Sequence, residues 1–190
     1  MTGVKKERKS LAGFTTLELI LVLAIFVVTS TSLASTFLYS QRLERSTSAK
    51  LTADSEARFT IEAIAREIRR DQIDYFSYAG TIDPIDQTEL KLKDLRGRSI
   101  IFKKNVVTGI GVAQVSVDGG VVWSDLTSNK VDVQVLRFYI APATDPFATQ
   151  AVSNEQPRVT IAGSFKSLEK DSPQLPTIIS TTITSRFYGR

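Results

Sequence analysis

The sequence predicts an α+β fold in which one long N-terminal α-helix packs on an antiparallel β-sheet head domain. Three observations predict it. No glycine lies between Gly13 and Gly80 and no proline precedes Pro84, so nothing obliges a helix begun near residue 14 to stop. The first part of that helix is apolar and the second part is amphipathic. Beyond Gly80 the chain changes to short β-branched runs separated by turn residues.

Residues 14–38 are expected to form the membrane-spanning half of the helix. They carry a single charge, on Glu18, and residues 19–28 are apolar without a break. At about 1.5 Å per residue the segment is roughly 37 Å long, which exceeds the hydrocarbon core of about 30 Å. A secretory signal peptide is the alternative, but small residues at a cleavage site should then follow the apolar run. The residues YSQRLERS that follow Leu38 do not form such a site.

Residues 39–71 are expected to form the amphipathic half of the helix. Small and aliphatic residues recur there at spacings of three and four, which places them on one helical face. These residues are Ala53, Ala57, Ile61, Ile64 and Ile68. The other face carries the charges of Arg58, Glu62, Arg66, Glu67, Arg69 and Arg70. We expect the first face to cover a sheet and the charged face to be solvated.

Residues 72–190 are expected to form the β-rich head. Candidate strands cover residues 90–95, 99–103, 112–117, 121–124, 131–140, 158–165 and 178–187. Asp118-Gly119-Gly120 separates two of them and predicts a hairpin turn, since glycine adopts positive φ without strain. A calcium loop is the alternative for this acidic stretch, but the regular acidic spacing of such loops is absent.

The amino-acid composition narrows the available chemistry. The chain has no cysteine and no histidine, which excludes disulfides, thiol nucleophiles, Ser-His-Asp triads and most zinc sites. We expect no catalytic residue, no metal site and no cofactor.

The positive charge of the chain is concentrated before the apolar segment. Four of the 24 basic residues precede Gly13, against one of the 20 acidic residues, so the rest of the chain is nearly neutral. Because basic residues before a span favour the cytoplasmic side, we expect a cytoplasmic leader, residues 1–13, and an extracytoplasmic head.

A short motif joins the leader to the apolar segment. Leu11-Ala12-Gly13 is followed at once by Phe14-Thr15-Thr16-Leu17-Glu18. With the basic leader before it and the apolar run behind it, this segment resembles the processing motif of type IV pilin-like proteins, the prepilins and pseudopilins. The resemblance implies cleavage after Gly13 by a prepilin peptidase, N-methylation of the new terminus at Phe14, and an assembly role for Glu18.

The resemblance also implies a reason for an acid in an apolar helix. Cleavage creates an α-amine at Phe14, and in a filament the carboxylate of Glu18 is expected to face that amine on a neighbouring subunit. At low dielectric such a pair attracts strongly, whereas either charge alone is costly. An acid that reaches the membrane edge without a protein partner is the alternative interpretation of Glu18.

Further expectations about partners and location follow from the resemblance. The partners implied are the prepilin peptidase, other pilin or pseudopilin subunits, an inner-membrane assembly platform and the lipid bilayer. The protein is expected to be a single-pass membrane protein first, and then part of a cell-surface or periplasm-spanning filament.

The membrane-spanning half also indicates which kind of subunit to expect. Many major type IVa pilins have proline or glycine within this helix. This chain instead has hydroxyl residues at 29–32 and 35–36, which have weaker helix propensity and can bond back to helix carbonyls. The departure favours a minor pilin or pseudopilin of a type IV pilus, a type II secretion system or a competence system.

Two other functions remain as alternatives. A filament-tip subunit could bind DNA or a surface, and the local basic cluster of the head would then carry it. That cluster consists of Arg96, Arg98, Lys103 and Lys104. A membrane-anchored enzyme is the remote alternative, since Asp83 and Asp86 form an acid pair, but acids in a proline-containing loop are more often turn residues.

Overall fold

The computed structural model describes residues 15–78, 82, 87–148, 155–169 and 175–186. It confirms the predicted fold class, with one long helix, α1 (Thr16–Arg70), and antiparallel sheets after it. The helix bounds agree with the predicted range of about 14 to 71. Contacts divide the chain into two compact units between Leu43 and Glu44.

Helix α1 is continuous over 55 residues because its sequence contains neither glycine nor proline. Its first turn carries Glu18 and its last turn carries Arg69 and Arg70, so the charges at both ends oppose the helix dipole. The N–H of Asp71 donates to the carbonyl oxygen of Glu67 at 2.8 Å, and the chain bends there.

The described part of the head contains eight strands in two sheets, and every pair of these strands is antiparallel. The strands are β1 (Gln72–Ile73), β2 (Glu89–Lys93), β3 (Ser99–Val107), β4 (Ile110–Ser116), β5 (Ser124–Asp125), β6 (Val131–Ala141), β7 (Arg158–Ser167) and β8 (Thr177–Thr184). A short 3₁₀ helix (Tyr75–Tyr78) follows β1. The five-stranded sheet has the order β1-β2-β3-β4-β5, and the three-stranded sheet has the order β6-β7-β8.

One predicted strand is wrong for most of its length. Residues 121–122 bend instead of pairing, and only the two residues of β5 extend the sheet. The reason is local, because the carboxylate of Asp118 accepts hydrogen bonds from the N–H groups of Val121 and Val122. These amides are therefore not available to a strand ladder.

The hairpin between β3 and β4 was not predicted. It turns at Thr108 and Gly109, which have φ angles of 50° and 83°. Two successive residues with positive φ are what a type I′ turn requires, and Val107 pairs with Ile110 across it. Threonine is an uncommon residue at such a position, so the sequence gives only a weak signal there.

The predicted buried face of the helix is confirmed. All five of its residues, Ala53, Ala57, Ile61, Ile64 and Ile68, are buried. All of them except Ala53 share one core with apolar side chains of both sheets, in which Phe102, Phe138 and Phe165 are the largest fully buried residues. The arginines and Glu62 of the opposite face are exposed, and Glu67 is half-buried. Within the second unit the helix therefore covers both sheets.

Polar contacts fasten this half of the helix to the head. The N–H of Ser128 donates to Oε2 of Glu56 at 3.2 Å, and the hydroxyl of Thr177 donates to Asp54. The hydroxyl of Ser185 donates to the carbonyl oxygen of Asp71 at 3.2 Å. The first two bonds connect α1 to residues that are 72 and 123 positions away in sequence, and the third holds the residue that follows α1.

The two sheets approach closely where β3 and β4 meet β6. The N–H of Gly111 donates to Oδ1 of Asp132 at 2.8 Å, and Nζ of Lys104 donates to the carbonyl oxygen of Gln134 at 2.6 Å. A Cβ atom on Gly111 would lie 2.1 Å from the carbonyl oxygen of Val133. Only glycine therefore allows this contact.

The substitution Gly111→Ala is expected to lower the free energy of unfolding of the head by about 3 kcal/mol, because the backbones of β4 and β6 must separate. Gly109→Ala is the matched control. It meets no atom within 4 Å and carries only the strain of its positive φ, which costs about 1 kcal/mol. Urea unfolding in mild detergent, followed by fluorescence of the single tryptophan Trp123, measures both. Equal losses for the two variants would contradict the close approach.

Candidate membrane and assembly segment

Thr15 caps the start of α1. The backbone N–H of Glu18 donates to Oγ1 of Thr15 at 3.3 Å, which satisfies one of the N–H groups that the first helical turn leaves unpaired. A threonine followed three residues later by a glutamate is also the sequence pattern of a capping box. This pattern is readable in the sequence and gives Thr15 a role that the processing motif does not predict.

Glu18 is exposed in the first turn, where the helix dipole favours a negative charge. None of the ion pairs among the described residues involves its carboxylate. The carboxylate is therefore accessible to a group of another molecule. Gly13 and Phe14, the predicted cleavage and methylation site, lie outside the described residues.

The helix after Glu18 is apolar on all sides. Its large side chains are more than half exposed: Leu19, Ile20, Leu21, Val22, Leu23, Ile25, Phe26, Val27 and Val28. Within the described residues, α1 is the one helix that is long and apolar enough to cross a membrane, and no residue of its most apolar window is buried. A helix with apolar residues all round requires lipid or other protein around it. This part of α1 is compatible with a single-pass anchor.

Five of the six hydroxyl side chains at residues 29–32 and 35–36 bond back to the helix backbone, as the sequence predicts. Oγ1 of Thr29 donates to the carbonyl oxygens of Ile25 and Phe26, at 2.9 and 3.0 Å. The hydroxyls of Thr31, Ser32, Ser35 and Thr36 make similar bonds of 2.8 to 2.9 Å. Because each donor is satisfied within the helix, these residues can lie in hydrocarbon without an unpaired O–H group.

The predicted basic cluster of the head does not form one patch. Nε of Arg98 donates to Oδ2 of Asp94 at 2.7 Å, and Nζ of Lys103 lies 3.8 Å from the ring centre of Trp123. The ammonium group of Lys104, on β3, donates to the carbonyl oxygen of Gln134 on β6. Three of the four cationic groups thus have partners within the chain, and these partners lie in different places. The arrangement does not present clustered cations to a phosphate backbone.

The turn that carries Arg96 and Arg98 is organised by Asp94. Its Oδ1 accepts hydrogen bonds from the N–H groups of Arg96 and Arg98, both at 2.8 Å. The backbone hydrogen bond from Arg98 is the main cause that lowers the pKa of Asp94 below its ordinary value, and the Arg98 guanidinium adds to it. Arg98 therefore stabilises the turn through both its backbone and its side chain.

Asp118 organises the connection between β4 and β5. Its Oδ1 accepts a hydrogen bond of 2.6 Å from the hydroxyl of Ser116, which is the main cause that lowers the pKa of Asp118. Gly119 and Gly120 have φ angles of 76° and 100°, as expected of glycines in a turn. The stretch thus joins two antiparallel strands, although by a longer loop than a tight hairpin.

The carboxylate of Asp118 is engaged with the backbone of its own loop. Among the described residues there is no group of three or more acidic side chains placed to hold a metal ion. Asp83 and Asp86, the acid pair of the enzyme alternative, lie outside the described residues.

Comparisons of the chain with protein-family models, with curated proteins and with solved structures find no match. The functional assignment therefore depends on the residues and their geometry.

Proposed function

We propose that this protein is a minor pilin or pseudopilin, a structural subunit of a type IV pilus, type II secretion or competence filament. In this proposal a prepilin peptidase removes residues 1–13 on the cytoplasmic side, and Phe14 becomes the methylated N-terminus. The head lies outside the cytoplasm, and the subunit leaves the bilayer when an assembly platform adds it to the filament.

The observation that carries the proposal is the order of features along one helix. The segment from Gly13 to Glu18 is followed by an apolar helix whose side chains are exposed on every side, and the same helix continues as the buried face of the head. An ordinary single-span anchor needs only the apolar part. A filament subunit also needs its apolar helix to pack against other copies, and the exposed side chains of α1 are suited to that packing.

Glu18 is proposed to direct this packing. In the bilayer or in an apolar filament core, a lone carboxylate and a lone α-amine are each costly, and pairing removes part of both costs. Glu18 of one subunit would pair with the amine of Phe14 in a neighbour. The accessible position of Glu18 in the first turn supports this pairing.

We propose no catalytic role for the protein. A tip subunit that binds DNA is less favoured than a structural subunit, because Arg98, Lys103 and Lys104 have partners within the chain. A surface-binding tip subunit remains an alternative within the same class of filament proteins.

The substitution Gly13→Arg is expected to block processing, because a long side chain would occupy the position at which the peptidase meets a glycine. Co-expression with a prepilin peptidase, followed by electrophoretic mobility, measures the cut. Gly3→Arg is the matched control, since it makes the same change within the leader but away from the junction. Normal cleavage of Gly13→Arg would count against the proposed function.

A further inference from the structure

Strand β8 is an open sheet edge. Within the described residues it pairs with β7 alone. Just beyond β8, the N–H of Ser185 donates to the carbonyl oxygen of Pro157 at 2.9 Å. This bond shows which residues of β8 form the hydrogen-bonded pairs with β7 and which form the non-bonded pairs. Because hydrogen-bonded and non-bonded pairs alternate in an antiparallel ladder, the backbone groups of every second residue point away from β7. These residues are Ile178, Ser180, Thr182 and Thr184, and all four are exposed.

The edge has none of the features that usually prevent strand addition. Residues Thr177–Thr184 contain no charge and no proline, and their pairing with β7 has no register shift. Most of them are β-branched, and Ile178 is 77% exposed. Natural edge strands are commonly protected by lysine, proline, a bulge or short length.

The other sheet edges differ from β8. Strands β1 and β5 have two residues each. The free side of β6 is covered in part by the Gly111 contact with Asp132 and by a bridge between Gln87 and Phe138. Among the described strands, β8 is therefore the long edge that remains uncovered.

Charged residues border this edge on the side of α1. Arg58 and Glu62 line a groove of about 440 Å³ with residues 178–181 of β8. Arg69 and Arg186 line a second groove of about 520 Å³ with residues 182–184. Asp54, which accepts a hydrogen bond from Thr177, also lies beside β8. Three arginines against these two acids give the border a net charge of +1, so an added strand with acidic side chains toward α1 would be favoured.

A second copy of this chain does not fit the edge well. Antiparallel pairing of two β8 strands requires a two-fold axis perpendicular to the sheet, which would reverse the direction of the α1 segment packed on that sheet. Copies anchored in one membrane with their heads on the same side have α1 segments that run in one direction. The added strand is therefore expected to come from another protein.

We propose that β8 binds an extended acidic segment of a different protein by β-strand addition. Backbone hydrogen bonds to residues 178, 180, 182 and 184 supply the affinity, and the arginines beside the edge select for acidic side chains. This partner site goes beyond the proposed structural role, and it depends on that role only in the argument against a second copy.

The test uses the full chain in lipid nanodiscs and a synthetic peptide with the sequence Thr-Glu-Val-Glu-Val-Glu-Val-Thr. Hydrogen exchange at single-residue resolution is expected to show that the amides of Ile178, Ser180, Thr182 and Thr184 become protected when the peptide is added. The amides of residues 179, 181 and 183 should change little, because they already bond to β7. The same peptide with lysine in place of glutamate is expected to bind about tenfold more weakly.

Two variants separate the backbone from the charges. Ser180→Pro removes one outward N–H without removing a bond to β7, and it is expected to weaken peptide binding about tenfold. Arg58→Glu leaves the edge intact and is expected to weaken binding about two- to fivefold. If Ser180→Pro alters the fold, the exchange pattern of the unmodified chain still decides the question.

Three results would overturn the proposal. The first is no alternating protection at saturating peptide, and the second is equal binding of the glutamate and lysine peptides. The third is protection of the same amides without peptide that grows with protein concentration, which would identify a second copy as the occupant. Each result is independent of cleavage after Gly13, so failure here does not imply failure of the proposed function.

Discussion

The substitution Ile64→Asp is expected to unfold the head. Ile64 is fully buried between α1 and the sheets, in the same core as Phe102 and Phe165. A carboxylate there would have no counter-charge, and an uncompensated buried charge costs about 3–5 kcal/mol, a large part of the total stability of a domain. Loss of the urea unfolding transition, followed by Trp123 fluorescence in mild detergent, measures the effect.

A graded series distinguishes burial from helix propensity. Ile64→Val should cost about 1 kcal/mol and Ile64→Ala about 2–5 kcal/mol, because the second leaves a larger cavity. Arg66→Asp is the matched control, since it places the same side chain on the exposed face of the same helix. If Ile64→Asp and Arg66→Asp have equal stability, the buried face of α1 is assigned wrongly.

The substitution Glu18→Gln is expected to prevent incorporation into filaments while leaving membrane insertion and cleavage after Gly13 intact. Loss of one partner of a buried charge pair costs about 3–5 kcal/mol, which corresponds to at least about a hundredfold in the assembly equilibrium. Glutamine is informative because it retains the capping-box pattern with Thr15, so the helix start is preserved. Quantifying the variant in sheared filaments and in membranes measures the two pools.

Two further variants separate charge from other properties of Glu18. Glu18→Val also removes the charge and makes the span more apolar, so its insertion should be equal or better. Glu18→Asp keeps the charge on a shorter side chain and should retain part of the incorporation. Recovery of both the Gln and Val variants in filaments at wild-type amounts would show that the carboxylate has another role.

The long helix and its buried face could be predicted because their signals are local and periodic. Neither glycine nor proline interrupts residues 16–70, and the spacing of Ala57, Ile61, Ile64 and Ile68 identifies the face that the structure buries. The back-bonding of Thr29 was also predictable, since its partners Ile25 and Phe26 lie three and four residues away.

The features that could not be predicted depend on contacts between distant residues or on one side chain. The role of Gly111 could not be predicted, because the atom that a Cβ at this position would contact is the carbonyl oxygen of Val133, on the other sheet. Residues 121–122 have a strand-like sequence, yet Asp118 binds their amides. The basic cluster looked continuous in sequence, but Trp123 and Gln134 hold two of its lysines in different places.

Cleavage after Gly13 is the central claim, and the intact mass of the protein from its native membranes tests it most directly. We predict a mass that matches a chain beginning at Phe14 with one added methyl group, confirmed by fragmentation of the N-terminal peptide. The Gly13→Arg variant, prepared in the same way, should have the mass of an uncut chain that carries the substitution and still includes the leader. A native protein that still carries residues 1–13, or that is cut after the apolar segment, would contradict the account.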